Sequence, residues 1–174
     1  MRVIVFGADG LVGRRLVEQA LERGHTVTVV SAGEWPADRP NERLRLVRGD
    51  VLAPLSFDRA LADQQAVLFA LDADGGHAAH SEGMRNVLAA LAGHGATRLV
   101  CLSAERREQR PRGLAILKPR RRAEATDNDL RRMEVLVRAS DVRWTIVRPA
   151  RIVDAPGRGR RREGRAMLCR AVRR

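Results

Sequence analysis

The sequence predicts an α/β protein, a doubly wound parallel sheet in a single domain, and three observations predict it. The chain opens on a continuous apolar run, Val3-Ile4-Val5-Phe6, as expected of a strand covered on both faces. A glycine-rich turn then leads into apolar residues at helical spacing, and strands and helices alternate as far as Pro149. The connections are short, so each crossover is right-handed and the strands run parallel. A length of 174 residues with 44% apolar content suits one domain with one sizeable core.

The elements follow in order. After the first strand, Leu11, Val12, Leu16, Val17, Ala20 and Leu21 share a helix face, and Gly24 stands where a helix ends. The β-branched run from His25 to Val30 is strand two, and Leu44 to Val47 is strand three, closed by Gly49-Asp50. Phe57 to Ala62 reads as a short helix and Ala66 to Leu71 as strand four. Met84 to Leu91 is helical and ends at Gly93 or Gly95; Leu99 to Leu102 is strand five. Leu130 to Ala139 is a helix with Met133, Leu136 and Val137 on one face, and Trp144 to Val147 is strand six. Arg106 to Arg122, arginine-rich with two prolines, reads as a long loop.

Composition excludes several functions. No run approaches the roughly 18 apolar residues of a membrane span, and Gly7, Asp9 and Gly10 interrupt the first apolar run too early for a signal peptide. Two cysteines, Cys101 and Cys169, suggest neither a disulfide framework nor a zinc site, so a cytoplasmic setting is expected. His77 and His80 lack a third ligand nearby, so no metal is expected. With no tyrosine in the chain, a phenolic proton donor is ruled out. The net charge of +12 is concentrated in residues 106–174, which carry +14, whereas residues 1–105 carry −2. Of the 33 basic residues only Lys118 is lysine, a compositional bias that accounts for the charge without specific nucleic-acid binding.

The chemistry concentrates in Gly7-Ala8-Asp9-Gly10-Leu11-Val12-Gly13, between a buried strand and a helix. Gly7 lets the chain turn out of the strand, Gly10 lets a pyrophosphate approach the backbone, and Gly13 lets the helix pack closely. Free amides of the first helical turn supply donors and partial positive charge. The spacing is GxxGxxG, and Gly49-Asp50-Val51 follows strand three.

Together these motifs resemble the short-chain dehydrogenase/reductase superfamily in its atypical NAD(P)H-binding branch. SEGMRNVLAAL at 81–91, His94-Gly95, and VRWTIVRPARIVDAPG at 142–157 are similar to the biliverdin-IXβ reductase/flavin reductase family. The resemblance covers residues 1 to about 157, implying a Rossmann-fold domain over 1–157 and a basic C-terminal tail over 158–174. It implies a reductase of a flavin, a linear tetrapyrrole or another small planar substrate, a monomer or weak homo-oligomer, with NADP as cofactor and NAD the other choice. The Asp50-Val51 pair would then hold the adenine, and Ser103, at the end of strand five, would bond substrate or nicotinamide. A strand-end serine that caps its own backbone is the plainer reading of Ser103. Leu71, Asp72 and Pro149 would line the cofactor.

The chain departs from that family at several points. Asp9 replaces the usual threonine, as a helix N-cap or as a negative charge near the pyrophosphate. Asp72 stands where glycine is common, a carboxylate that would repel phosphates or crowd the ribose. Ser31-Ala32-Gly33 lacks the arginine that clasps a 2′-phosphate, leaving Arg39 either to replace it or to be a solvated loop residue. Arg151 stands in place of a histidine and would attract an acidic substrate. The family continues past Gly157 into further structure, so the fold is expected to be shortened at its C-terminus. A non-catalytic dinucleotide sensor of the NmrA type is the competing function.

Overall fold

The structure is a computed structural model that describes residues 1–33, 41–72, 78–94, 98–104, 120–149 and 152, the side chains of 120–123 excepted. Its elements are β1 (Arg2–Phe6), α1 (Leu11–Glu22), β2 (Thr26–Ser31), β3 (Leu44–Arg48), β4 (Ala66–Phe69), α2 (Ala79–His94), β5 (Arg98–Leu102), α3 (Arg120–Ala139) and β6 (Arg143–Val147). All six strands are parallel and ordered β3-β2-β1-β4-β5-β6. The doubly wound α/β sheet is therefore present, and its winding reverses between β1 and β4. Open α/β sheets take their ligands at such a point, at the carboxyl ends of the strands.

Alternation along β1 divides the core. Ile4 and Phe6 face a cluster with Phe57, Leu61, Phe69, Met84, Leu91, Met133 and Val137. Val3 and Val5 face the other way, onto Val17 and Ala20 of α1. The first cluster is centred on Phe6, which meets Phe57 edge-on at 5.0 Å and Phe69 at 6.2 Å. α1 ends as expected: Gly24 has φ +78°, its N–H donates to Leu21 O at 2.9 Å, and His25 N–H donates to Ala20 O at 3.0 Å.

Three elements differ from the sequence reading. Phe57 to Ala62 is no single helix; two 3-10 turns, Pro54–Ser56 and Asp58–Leu61, lie either side of Phe57. Pro54 opens the first turn, and burial of Phe57, Ala60 and Leu61 holds the pair in place. α3 begins ten residues before Leu130, so Arg120, Arg121 and Arg122 belong to a helix, not a loop. That stretch has no apolar period to read, yet Arg, Ala and Glu are good helix formers. α2 starts at Ala79 because its cap comes from elsewhere in the chain. Asp129 of α3 accepts the N–H groups of His80 (2.9 Å) and Ser81 (3.1 Å), the Ser81 hydroxyl, and a contact from His80 Nδ1 at 3.2 Å. Burial would raise the Asp129 carboxyl, but the bonds from Ser81 and His80 hold it below its ordinary value. Among the described residues no helix is long and apolar enough to cross a membrane, and no three metal-ligating side chains gather.

Candidate functional site

The three glycines of the loop answer to different neighbours. A Cβ on Gly7 would lie 2.4 Å from Ala70 O, and the residue has φ +81°, so the β1 turn requires glycine twice over. A Cβ on Gly13 would lie 2.0 Å from Gly7 O, so α1 packs against the loop's own backbone. Gly10 differs: at φ −80° its backbone suits any residue, and the atoms nearest to a Cβ there would be those of the Asp72 carboxylate, at 2.5 Å. Asp72, exposed just beyond β4, thus lies over the start of α1. The helix start carries no side-chain cap, which leaves the amides of Leu11, Val12 and Gly13 for a ligand. The donors of this cradle suit an anionic group, and the Asp72 carboxylate is the negative charge such a group would meet.

Asp9 does not cap α1, contrary to the N-cap reading. Gly10 is the N-cap residue, and the Asp9 carboxylate turns to β2, where Ser31 Oγ donates to Asp9 Oδ1 at 2.7 Å. A cavity of about 500 Å³ beside Ser31 is lined by Val29, Ala32, Gly33, Leu46, Val47 and Arg48. After β3, Asp50 Oδ1 accepts from Leu52 N at 2.9 Å, and Val51 O accepts from Asn86 Nδ2 at 2.9 Å. Gly83 of α2 packs against the Val51 side chain, so the Asp50-Val51 turn is moored to that helix.

Across the switch point, Ser103 follows β5 and Arg148 follows β6, joined by Ser103 N–H donating to Val147 O at 2.8 Å. The Ser103 hydroxyl donates to Glu134 Oε1 of α3 at 2.7 Å, so it does not cap its own backbone. Arg148 Nε donates to the same oxygen at 2.7 Å, its Nη2 bonds Glu134 Oε2, and Arg138 reaches Oε2 at 3.4 Å. Burial pushes the Glu134 carboxyl up, but the hydrogen bonds from Arg148 and Ser103 outweigh it and hold the group below its ordinary value. The bond to Glu134 in turn raises Arg148. Ser103, Ala104, Asp127, Leu130, Arg131, Glu134 and Arg148 line a cavity of about 270 Å³. Cys101, two residues before Ser103, is pushed up to about 12 by burial and by the Glu134 charge, so it stays a thiol.

Sequence reasoning missed Glu134 and Arg148. The signal was present, since Leu130, Met133, Glu134 and Val137 occupy one helix face and an acid on an apolar stripe asks for a partner. Pro149 lies half-buried next to Arg148, and Leu71 is half-buried beside Asp72. Arg39 and Arg151 lie outside the described residues.

A family model described as NAD(P)H-binding matches residues 7–169. The chain belongs to this NAD(P)H-binding family. Solved structures carry the same fold. The Bordetella bronchiseptica enzyme WbmG, in complex with NAD, is 23% identical with a TM-score of 0.67, over 85% of this chain and 52% of that one. A Rossmann-fold NAD(P)-binding family protein from Shigella flexneri is 21% identical with a TM-score of 0.67, over 89% and 70%. A wide-type short-chain dehydrogenase/reductase from Veillonella parvula, in complex with NADP, is 17% identical with a TM-score of 0.64, over 84% and 68%. This NAD(P)H-binding chain spans about half the length of WbmG.

Proposed function

We propose that the protein is an NAD(P)H-dependent oxidoreductase that reduces a small planar acceptor, a flavin or a linear tetrapyrrole. The observation that carries this reading is the pairing of two features across one switch point. An uncapped glycine cradle lies on one side, and a serine fixed at the rim of a cavity lies on the other. The pyrophosphate would rest on Gly10 and the amides of Leu11, Val12 and Gly13, with Asp50 and Val51 at the adenine and Leu71, Asp72 and Pro149 along the rest. The bound dinucleotide supplies hydride.

The chain's own groups supply orientation. With its proton given to Glu134, the Ser103 oxygen presents lone pairs, so it holds an N–H donor such as a carboxamide or a ring nitrogen. Arg148 keeps Glu134 ionised and therefore keeps Ser103 in that state. Arg151 would draw an acceptor bearing phosphate or carboxylate. With no tyrosine in the chain, solvent can deliver the proton that completes reduction.

The test is acceptor-dependent loss of NADH or NADPH absorbance with FMN and riboflavin. Ser103→Ala is expected to lower turnover with cofactor affinity retained, and Arg151→Ala to raise KM for FMN more than for riboflavin. Tight cofactor binding with no acceptor-dependent oxidation overturns the reductase and leaves a dinucleotide sensor.

A further inference from the structure

The nucleotide end of the switch point holds a fixed carboxylate that the phosphate loop does not need. Asp9 lies between β1 and α1, yet its side chain reaches the last residue of β2, where Ser31 Oγ donates to Oδ1 at 2.7 Å. Ser31 is itself 5% exposed, and its oxygen accepts from Gly33 N at 3.1 Å, so the clamp is held from both sides. Among the described residues nothing donates to Asp9 Oδ2.

A carboxylate at the carboxyl end of β2 faces the sugar of a dinucleotide bound at this switch point. Ordinarily the residue ending the strand would provide it. Here that residue is Ser31, whose hydroxyl lies 2.7 Å from Asp9 Oδ1 and 3.1 Å from Gly33 O, so its one proton goes to the nearer, charged acceptor, Asp9. Oδ2 is left to accept from a ribose hydroxyl, which is a donor, whereas a 2′-phosphate has no proton to give and repels it.

We infer that Asp9, clamped by Ser31, makes the site select a free ribose 2′-hydroxyl over a 2′-phosphate, and therefore NADH over NADPH. This rests on the dinucleotide reading above. It departs from the expectation of the phosphorylated cofactor, which depended on Arg39. Among the described residues Arg48 opposes the selection: it is the β3 register partner of Ser31 and lines the cavity that Ser31 borders. Both side chains are exposed and screened by water, but Arg48 sits on a long stem, whereas Asp9 is short and held by Ser31. Asp72, over Gly10, adds negative charge at the neighbouring phosphates.

The experiment is fluorescence titration of the full chain with NADH and with NADPH, for wild type, Asp9→Asn, Ser31→Ala and Arg48→Gln. Asp9 is exposed and its amide is isosteric, so that variant keeps the fold, as a thermal melt verifies. Wild type is expected to bind NADH at least about tenfold more tightly. Asp9→Asn narrows that ratio mainly by improving NADPH, and Ser31→Ala narrows it less. A ratio unmoved in Asp9→Asn overturns the assignment, as does a wild-type preference for NADPH that Arg48→Gln abolishes; in either case dinucleotide binding survives. Failure of wild type to bind either cofactor overturns the dinucleotide reading and the ribose assignment with it.

Discussion

Replacing Asp72 with asparagine removes one negative charge from over the phosphate cradle while keeping the side chain's volume. The carboxylate carbon and both oxygens lie 2.5 Å from where a Gly10 Cβ would stand, so an anion drawn to α1 meets this charge at close range. Two unit charges about 4 Å apart interact by about 1 kcal/mol in bulk water and about 4 kcal/mol at the effective dielectric of a protein surface. Asp72 is exposed, so the lower figure governs, and each of the two pyrophosphate charges then contributes about fivefold in affinity. Asp72→Asn is therefore expected to tighten dinucleotide binding by about five- to thirtyfold at low salt. Calorimetric titration with NADH at low and high salt reads this out, and the gain must shrink at high salt as the charges are screened. Asp72→Ala adds relief of crowding, which does not depend on salt. Unchanged affinity of the asparagine variant at low salt refutes the charge argument.

The buried ion cluster makes two further predictions. Glu134→Gln is expected to cost about 1–3 kcal/mol, because Arg148 and Ser103 lose a charged acceptor, with denaturant unfolding as the measure. Glu134 and Asp129 are both held below their ordinary values, so their contribution is complete above about pH 4.5 and is lost as pH falls through the folded values; acid titration of Glu134→Gln should show a shallower loss. Asp129→Ala is expected to cost about 2–3 kcal/mol, since it takes the acceptor from three donors at the start of α2 in one step, and circular dichroism should show lost helix. Gly13→Ala should lower the melting temperature while Gly10→Ala leaves it nearly unchanged, because the former's nearest neighbour is rigid backbone at 2.0 Å and the latter's is an exposed side-chain carboxylate.

Local signals carried much of the architecture into the sequence. Apolar Val3 to Phe6, the β-branched second strand and Gly24 each specify their own geometry, and all three stand as read. The glycine loop was legible for the same reason: its residues are neighbours in the chain. What stayed hidden depends on partners far along it. The first half of α3 has no apolar stripe, and the start of α2 is set by an aspartate 49 residues away. Asp9 looked like a helix cap because nothing local reveals Ser31, which comes within reach only when β2 pairs with β1. Glu134 and Arg148 were hidden likewise, each an ordinary surface residue type until α3 docks beside β6.

The Asp129 clamp also bears on how the molecule opens. The amides of His80 and Ser81 have their acceptor on another helix, so their protection from hydrogen exchange is tied to the docking of α3. α2 and α3 should therefore exchange as one cooperative unit, with the first turn of α2 reporting when that unit lifts from the sheet. Glu134 lies on the same helix as Asp129, one turn further along, so each such opening also releases Ser103. The slowest-exchanging amides of α2 become a clock for how often the rim of the pocket comes apart.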